Sequence, residues 1–351
     1  MVWSGSALRS VDLNDSDLQE IERQAVELAW EVGDILLGHF HGGPLHVEYK
    51  GKNQGDDPVT EADHHAETFL KEELARRFPD HAIVGEEGAG EGSDAAPLTW
   101  VVDPLDGTTN FLNGLPLFAS SIGLVEDGVP IVAAVFIPWP VGGRGRVLHA
   151  RMGGGAWEGD RRLRVAEGAS PVAGRVVVLP TFRTGPFRAQ RSLLEKPGER
   201  RSVGSIAYEL ALVADGKYQY AMFARPKSWD VAAGILLVQE AEGWVITRSR
   251  AQRGWHPFTT FASGRDDGPP GQKLLRDWAN VVVAGNPDMT HYVGRRVRVR
   301  RPWRRRLLGW MPPLVRRVSR VFRGLLPPYS ALQRMQRHRG RSSSRRRRAN
   351  R

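Results

Sequence analysis

The sequence predicts an α+β protein that ends in a basic extension. Two stretches near its start carry apolar residues at helical spacing, and short apolar runs that stop at Gly, Pro or acidic residues are typical of buried strands. After position 294 the chain carries 21 arginines and neither a lysine nor an acidic residue. With 351 residues it is long enough for one large core or two smaller ones.

Two amphipathic helices are predicted first. From Ser16 to about His39 apolar residues recur every three or four positions, and Ser16 and Gln19 have the spacing of a capping box. The same periodicity runs from Thr60 to Arg77, and Pro79 prevents this second helix from continuing. Each helix therefore has one face that must pack on a core.

Strands are expected next. The segments 82–84 and 100–102 are short apolar runs, each followed by carboxylates. The segments 122–125 and 131–137 predict a hairpin that turns at residues 126–128. We expect all four to be buried.

The second half of the chain has the same mixed character. A strand is predicted over 176–179, and helices are predicted over 207–214 and 231–242. The segment 248–271 is rich in Gly, Pro, Arg and Asp, so we expect an irregular loop there.

The most informative segment follows the second of these strands. Its apolar run stops at Asp103, Pro104 prevents a helix from continuing through this point, and Gly107 opens the next turn. This order predicts a strand, an acidic loop and then a helix, so that Asp103 and Asp106 converge. Two ionised carboxylates repel each other unless a proton or a cation lies between them, and oxygen ligands of this kind suit Mg²⁺ or Mn²⁺.

Four further motifs accompany this segment in order along the chain. They are Pro58-Val-Thr-Glu-Ala-Asp63, Gly85-Glu-Glu87, Gly204-Ser-Ile-Ala207 and Ser228-Trp-Asp-Val-Ala-Ala-Gly234. Together with Asp103-Pro-Leu-Asp-Gly-Thr-Thr-Asn-Phe111, they resemble the signature of the inositol monophosphatase family. These are Mg²⁺-dependent, lithium-sensitive phosphatases of sugar and polyol phosphates. The resemblance covers roughly residues 17–288.

The resemblance implies a layered α-β-α-β-α sandwich of the sugar-phosphatase type, with the site between two halves. We accordingly expect an N-terminal metal-binding half over 1–165 and a C-terminal half over 166–293 that completes the site. An Arg-rich tail over 294–351 would follow, with an amphipathic helix over 314–326 and then disorder.

The resemblance also implies which residues bind metal. Two or three Mg²⁺ ions would be held, and two of them would activate a water and stabilise the leaving oxygen. Asp103 would bridge two ions. The implied ligands are Glu86, Asp103, the carbonyl oxygen of Leu105, Asp106 and Asp230.

Asp63 and Thr108 match the family pair that orients and helps deprotonate the attacking water. Considered by itself, Asp63 could simply cap the helix that begins near Thr60. The implied phosphate contacts are the backbone N–H groups of Gly107 and Thr108, which open a helix. Gly204 and Ser205 belong to the motif on the substrate side.

One position departs from the inositol-specific pattern. Phe223 stands seven residues before Asp230, where inositol-specific members carry an acidic residue that accepts a hydrogen bond from the polyol. Arg225 and Lys227 would bind a second phosphate or a carboxylate of the substrate. The alternative is that they are solvated charges in a loop.

The expected function is a Mg²⁺-dependent phosphomonoesterase for a small sugar or polyol phosphate, similar to inositol-1-phosphate. One alternative is a 3′-nucleotide, bisphosphate or histidinol-phosphate phosphatase of the same fold. Another is a non-catalytic binding protein whose tail tethers it to a partner. A homodimer is implied by the resemblance alone.

Composition separates the tail from the body. Of 50 basic residues, 21 lie after position 294, which leaves 29 against 39 acidic residues, a net charge of −10, for the rest. We expect the tail to bind an anionic membrane surface or RNA. The chain has no cysteine, which excludes disulfides and fits a reducing compartment, and we expect a cytoplasmic protein, with peripheral membrane attachment through the tail.

Overall fold

The computed structural model describes residues 13–42, 47–49, 58–86, 92–93, 96–139, 143–180, 187–195, 198–248, 254–262 and 271–299. The helices within these ranges are α1 Asp15–His41, α2 Glu61–Arg77, α3 Thr108–Leu112, α4 Arg191–Glu195, α5 Ile206–Ala214, α6 Ser228–Glu240, α7 Gln272–Asp277 and α8 Pro287–Arg296. None of the described helices is both long and apolar enough to cross a membrane.

Most strands belong to two large sheets. The first sheet contains β3 Ala82–Gly85, β4 Leu98–Asp106, β5 Ala119–Glu126, β6 Val129–Ile137, β7 Arg146–Arg151, β8 Gly155–Glu158 and β9 Arg161–Arg162, in that spatial order. The second sheet has the order β12 Glu199–Arg201, β10 Val176–Val178, β13 Tyr220–Phe223, β16 Val281–Gly285, β14 Trp244–Arg248 and β15 His256–Pro257. Two small pairs join β1 Val47–Tyr49 to β2 Pro58–Thr60, and β11 Phe187–Ala189 to β17 Val297–Val299.

Helices cover both faces of each sheet. The apolar stripes of α1 and α2 pack on one face of the first sheet, where Trp100 and Val102 are buried. Helices α5 and α6 fill the space between the sheets, against Val101 on one side and Val282 on the other. The outer face of the second sheet packs on α8. This alternation is the predicted α-β-α-β-α sandwich, because a sheet that is apolar on both faces must be covered on both.

The predicted elements of the first half are present, with one wrong cap. Helix α1 begins one residue earlier than predicted, and Asn14 caps it instead of Ser16. The Asn14 side chain accepts the backbone N–H of Asp17, and Asp17 accepts the N–H of Asn14, so this pair forms the capping box. Helix α2 and the 126–128 hairpin lie where the sequence placed them.

The predicted acidic loop is wrong in one respect, since β4 continues through it to Asp106. The strand stays paired with β5, where Asp103 lies opposite Ser121 and Asp106 lies opposite Ala119. The register shifts between these two pairs, and this bulge absorbs Pro104, which has no N–H to give to the ladder. The helix predicted after Gly107 is α3.

The three elements that were predicted in the second half are present, among others that were not predicted. The strand at 176 and both predicted helices are present, and α6 begins at Ser228, three residues earlier than predicted. Within the described part of 248–271, the short strand β15 interrupts the expected loop. The division into halves at 165 stays a prediction. The tail helix expected over 314–326 and the disorder expected after it lie outside the described residues.

Candidate active site

A cavity of about 460 Å³ opens at the ends of strands from both sheets. The first half contributes residues from the end of β3, the end of β4 and the start of α3. The second half contributes the start of α5 and the segment from β13 to α6. The predicted site residues that line it are Glu86, Asp103, Leu105, Asp106, Gly107, Thr108, Gly204, Arg225 and Asp230.

The bulge in β4 explains why both aspartates reach this cavity. In a regular strand, side chains three residues apart point to opposite faces. The Leu105 side chain packs with α1 and α2, on the same side as Val102, so the alternation has slipped by one residue. Asp103 and Asp106 therefore face the same cavity from the same strand.

Each of the three aspartates uses one carboxylate oxygen to accept hydrogen bonds. Asp103 accepts the backbone N–H of Leu105 at 3.2 Å, and Asp230 accepts that of Lys227 at 2.8 Å. Asp106 accepts the hydroxyl of Ser205 at 2.8 Å and the N–H of Ala207 at the start of α5. Within the described residues, the second oxygen of each of these aspartates has no hydrogen bond.

Crowding makes this cluster of acidic groups hard to ionise. Asp103 is only 2% exposed, and burial raises its pKa well above the ordinary value, with Asp106, Glu86, Asp230 and Asp63 adding repulsion. Burial also raises the pKa of Asp106 to about 7, although the hydrogen bonds from Ala207 and Ser205 lower it. Burial raises the pKa of Asp230 to about 8. A bound cation would relieve this repulsion.

The donor set fits a hard divalent cation. It consists of carboxylate oxygens and the carbonyl of Leu105, which are the ligands that Mg²⁺ prefers. In the described ranges, no three His, Cys, Asp or Glu side chains lie in an arrangement that could hold a metal ion by themselves. Mg²⁺ normally keeps several waters and takes oxygens from its substrate, so a partial protein shell of this kind suits it.

Asp63 and Thr108 lie beside the acidic cluster and contact each other. The Thr108 hydroxyl is 3.1 Å from a carboxylate oxygen of Asp63. The other Asp63 oxygen accepts the backbone N–H of Thr60 at 2.8 Å and its hydroxyl at 2.6 Å, which closes the capping box of α2. The helix-cap interpretation of Asp63 is thus confirmed, and the same side chain also reaches Thr108.

The opposite wall of the cavity is largely apolar. Phe223 lines it where an inositol-specific member would have an acidic residue, together with Val178, Leu179 and Met222. Arg225 lines this side too, whereas Lys227 donates to the carbonyl of Arg276 at 3.3 Å and lies over the ring of Trp229. Of these two cations, only Arg225 lines the cavity.

The position of Ser205 is not that of a residue that contacts the substrate directly. It is fully buried, caps α5 and donates to Asp106, while its neighbour Gly204 lines the cavity. Glu209, a cavity-lining carboxylate on α5, is a further site residue that was not predicted from the sequence. The sequence does contain a signal for it, because Glu209 is the only charged residue in an otherwise apolar helix.

The model of the inositol monophosphatase family matches residues 17–278. The inositol-1-monophosphatase of Rhizobium meliloti is 38% identical over 235 residues, which are 65% of this chain and 82% of the relative. The Nus factor SuhB of Xylella fastidiosa is 37% identical over 227 residues, 63% of this chain and 79% of the relative. The crystal structure of the extragenic suppressor protein suhB from Bartonella henselae has a TM-score of 0.62 at 26% identity, covering 79% of this chain and 97% of the other.

Proposed function

This chain belongs to the inositol monophosphatase family and is a phosphatase, and we propose that it hydrolyses a small sugar or polyol phosphate with the help of Mg²⁺. One observation carries the proposal. The four acidic residues proposed as metal ligands come from three separate segments and meet in one cavity, next to a hydroxyl that contacts a further carboxylate. Such a site can neutralise a phosphate and activate a water, which are the main requirements of phosphoryl transfer to water.

Glu86, Asp103, Asp106, Asp230 and the carbonyl of Leu105 would hold two or three Mg²⁺ ions. When bound, Mg²⁺ supplies positive charge that lowers the pKa of a water and stabilises the leaving oxygen. The hydrogen bonds at Asp103, Asp106 and Asp230 fix one oxygen of each carboxylate and so orient the other.

Thr108 and Asp63 would move the proton of the attacking water. The water would give its proton to the Thr108 hydroxyl, which would pass its own proton to Asp63 across the 3.1 Å contact. Asp63 is buried and held in place by the capping box of α2, so it is oriented before substrate arrives. No Ser or Cys nucleophile is required, because water attacks phosphorus directly.

Two parts of the cavity would bind the substrate. The backbone N–H groups of Gly107 and Thr108 would hold phosphate oxygens, and Gly204 leaves space for the ester on the side of the second sheet. Ser205 would act through Asp106, to which its hydroxyl donates.

A second candidate is a phosphatase for a nucleotide or a bisphosphate. Phe223 offers no hydrogen-bond acceptor to a ring hydroxyl, and an unpaired buried hydroxyl costs about 1–3 kcal/mol. Arg225 is exposed, lines the same wall and can pair with a second phosphate or a carboxylate. An apolar wall with one arginine favours a substrate that has a second anionic group.

Phosphate release from a substrate panel tests the proposal. The panel contains inositol-1-phosphate, fructose-1,6-bisphosphate, histidinol phosphate and 3′-phosphoadenosine 5′-phosphate, each with Mg²⁺ and with EDTA. We expect Mg²⁺-dependent turnover of at least one substrate, and a loss of about 100-fold or more in kcat/KM in Asp103→Asn. Asp34→Asn is the control, because Asp34 pairs with Arg144 on the surface of α1.

Two outcomes separate the candidates. Preference for a bisphosphate that disappears in Arg225→Ala would select the second one. Folded protein that releases phosphate from none of the substrates, or equal activity in EDTA, would contradict the proposed phosphatase mechanism.

We also propose that the tail binds an anionic partner, either a membrane surface or RNA. This rests on the 21 arginines after position 294 and on the acidic balance of the preceding residues. A chain that ends at Arg298 should keep its turnover in the same assay. Loss of turnover would favour the alternative in which the tail is central to the protein's role. The expected homodimer and the cytoplasmic location stay predictions.

A further inference from the structure

We propose that Asn110 and Glu209 form a clamp on the turn at Val203–Gly204, and that this clamp positions Asp106 for cation binding. The proposal assigns a positioning role to two residues whose side chains make no hydrogen bond to Gly107, to Thr108 or to the proposed metal ligands. It rests on the proposed function, because it concerns the metal site of that function.

Asn110 joins the acidic segment to the second half of the chain. Its amide nitrogen donates to the carbonyl of Leu117 at 2.7 Å and to that of Val203 at 2.6 Å. Both hydrogens of the amide are therefore used, one within the first half and one across to the second. Asn110 lies in α3, four residues after Asp106.

Glu209 holds the same turn from the other side. Its carboxylate accepts the N–H of Val203 at 2.6 Å. Glu209 is 2% exposed and lies in the first turn of α5. The backbone of Val203 is thus fixed at its carbonyl by Asn110 and at its N–H by Glu209.

The clamped turn leads directly to Asp106. Gly204 has a positive φ of 85°, which turns the chain into α5 with Ser205 as its cap. Ser205 and Ala207 then donate to the same oxygen of Asp106, so the place of this carboxylate depends on where α5 begins. If the turn relaxed, these donors would shift and Asp106 would lose its orientation.

Direct Mn²⁺ binding tests the clamp without turnover. Mn²⁺ is titrated into the full chain, and free Mn²⁺ is measured by electron paramagnetic resonance. Glu209→Ala and Asn110→Ala should each weaken binding by about 10-fold, the loss typical of residues that orient metal ligands. The Mg²⁺ concentration for half-maximal activity should rise by the same factor. Glu209→Gln should bind nearly as well as wild type, because its amide oxygen still accepts the N–H of Val203.

Glu240 provides the matched control. It also accepts backbone N–H groups, those of Gly153 and Gly155 at 2.9 Å each, but it does not line the cavity. Glu240→Ala should therefore leave Mn²⁺ binding unchanged. Near-ultraviolet circular dichroism checks that each variant is folded. If Glu209→Ala does not fold, Asn110→Ala tests the clamp in its place.

The proposal is overturned if the folded clamp variants bind Mn²⁺ with wild-type affinity, or if Glu240→Ala loses as much Mn²⁺ affinity as they do. A wild-type chain that binds no Mn²⁺ would also overturn it. Because binding is measured without substrate, a chain that binds Mn²⁺ and releases no phosphate would count against the proposed function alone.

Discussion

At Thr108 a single hydroxyl hydrogen has two acceptors within reach. The oxygen lies 3.1 Å from the Asp63 carboxylate and 3.1 Å from the carbonyl of Leu105. An ionised carboxylate accepts a stronger hydrogen bond than a carbonyl oxygen does. We infer that the hydroxyl points to Asp63 when the site is ready for reaction, which leaves its lone pairs towards the attacking water.

Thr108→Val therefore removes the proposed proton relay while keeping the shape of the side chain. We expect kcat to fall by about 100- to 10,000-fold, the usual contribution of general acid–base catalysis. Mn²⁺ binding should be unchanged, because the hydroxyl is not a proposed metal ligand. Steady-state kinetics at saturating Mg²⁺ measure the effect. Thr108→Ser restores the hydroxyl and should recover most of the rate, and a Val variant with full kcat would rule out the relay.

At the scale of secondary-structure elements, the end of β4 and the start of α5 form the site together. The bulge at Pro104 and Leu105 brings two aspartates to one side, and Gly107 then starts α3 with a φ of 96°. A Cβ at Gly107 would lie 3.0 Å from the Cβ of Ser205 and 3.1 Å from the carbonyl oxygen of Leu117. Glycine is needed there for its conformation and for its size.

Gly107→Ala should lower the free energy of unfolding by more than Gly114→Ala does. Both glycines have a positive φ, which costs an alanine about 1–2 kcal/mol. Only Gly107 is crowded, since a Cβ at Gly114 would meet nothing within 4 Å. Urea denaturation of the two variants measures the difference. Gly107→Ala should also need more Mg²⁺ for activity, because it pushes Ser205 away from Asp106. Equal losses of stability would contradict the crowding.

At the scale of the whole molecule, folding places mutually repelling carboxylates in a space between two sheets. The raised pKa values of Asp103, Asp106 and Asp230 mean that the folded metal-free protein keeps protons that the unfolded chain loses from about pH 4 upwards. The contribution of these groups to the free energy of unfolding therefore falls as the pH rises towards about 8. A cation that binds the ionised carboxylates would offset this loss.

Mg²⁺ should therefore stabilise the protein more at high pH than at low pH. Thermal unfolding in EDTA and in Mg²⁺, at about pH 5.5 and about pH 8.5, measures the rise in Tm that the ion causes. We expect the larger rise at the higher pH, and a much smaller rise in Asp103→Asn. A rise that is the same at both pH values would show that the ion does not bind these carboxylates.

The sequence by itself determined several of the helices and strands, and the family. Signals such as the apolar stripe of α1, the turn at 126–128 and the glycine before α3 are local, so they can be read without a fold. Motif order along the chain also identified the acidic residues that now line one cavity. The wrong cap at Ser16 arose because Asn14 was an equally good candidate two residues earlier.

The tertiary structure decided which side chains meet. The slip in β4 depends on its pairing with β5, so spacing alone could not show that Asp103 and Asp106 share a face. Packing of the second half on the first placed Ser205 on Asp106 and brought Asn110 to the turn at Val203. These two contacts join residues 99 and 93 positions apart along the chain. Such contacts follow from the packing of whole elements, which no local pattern encodes.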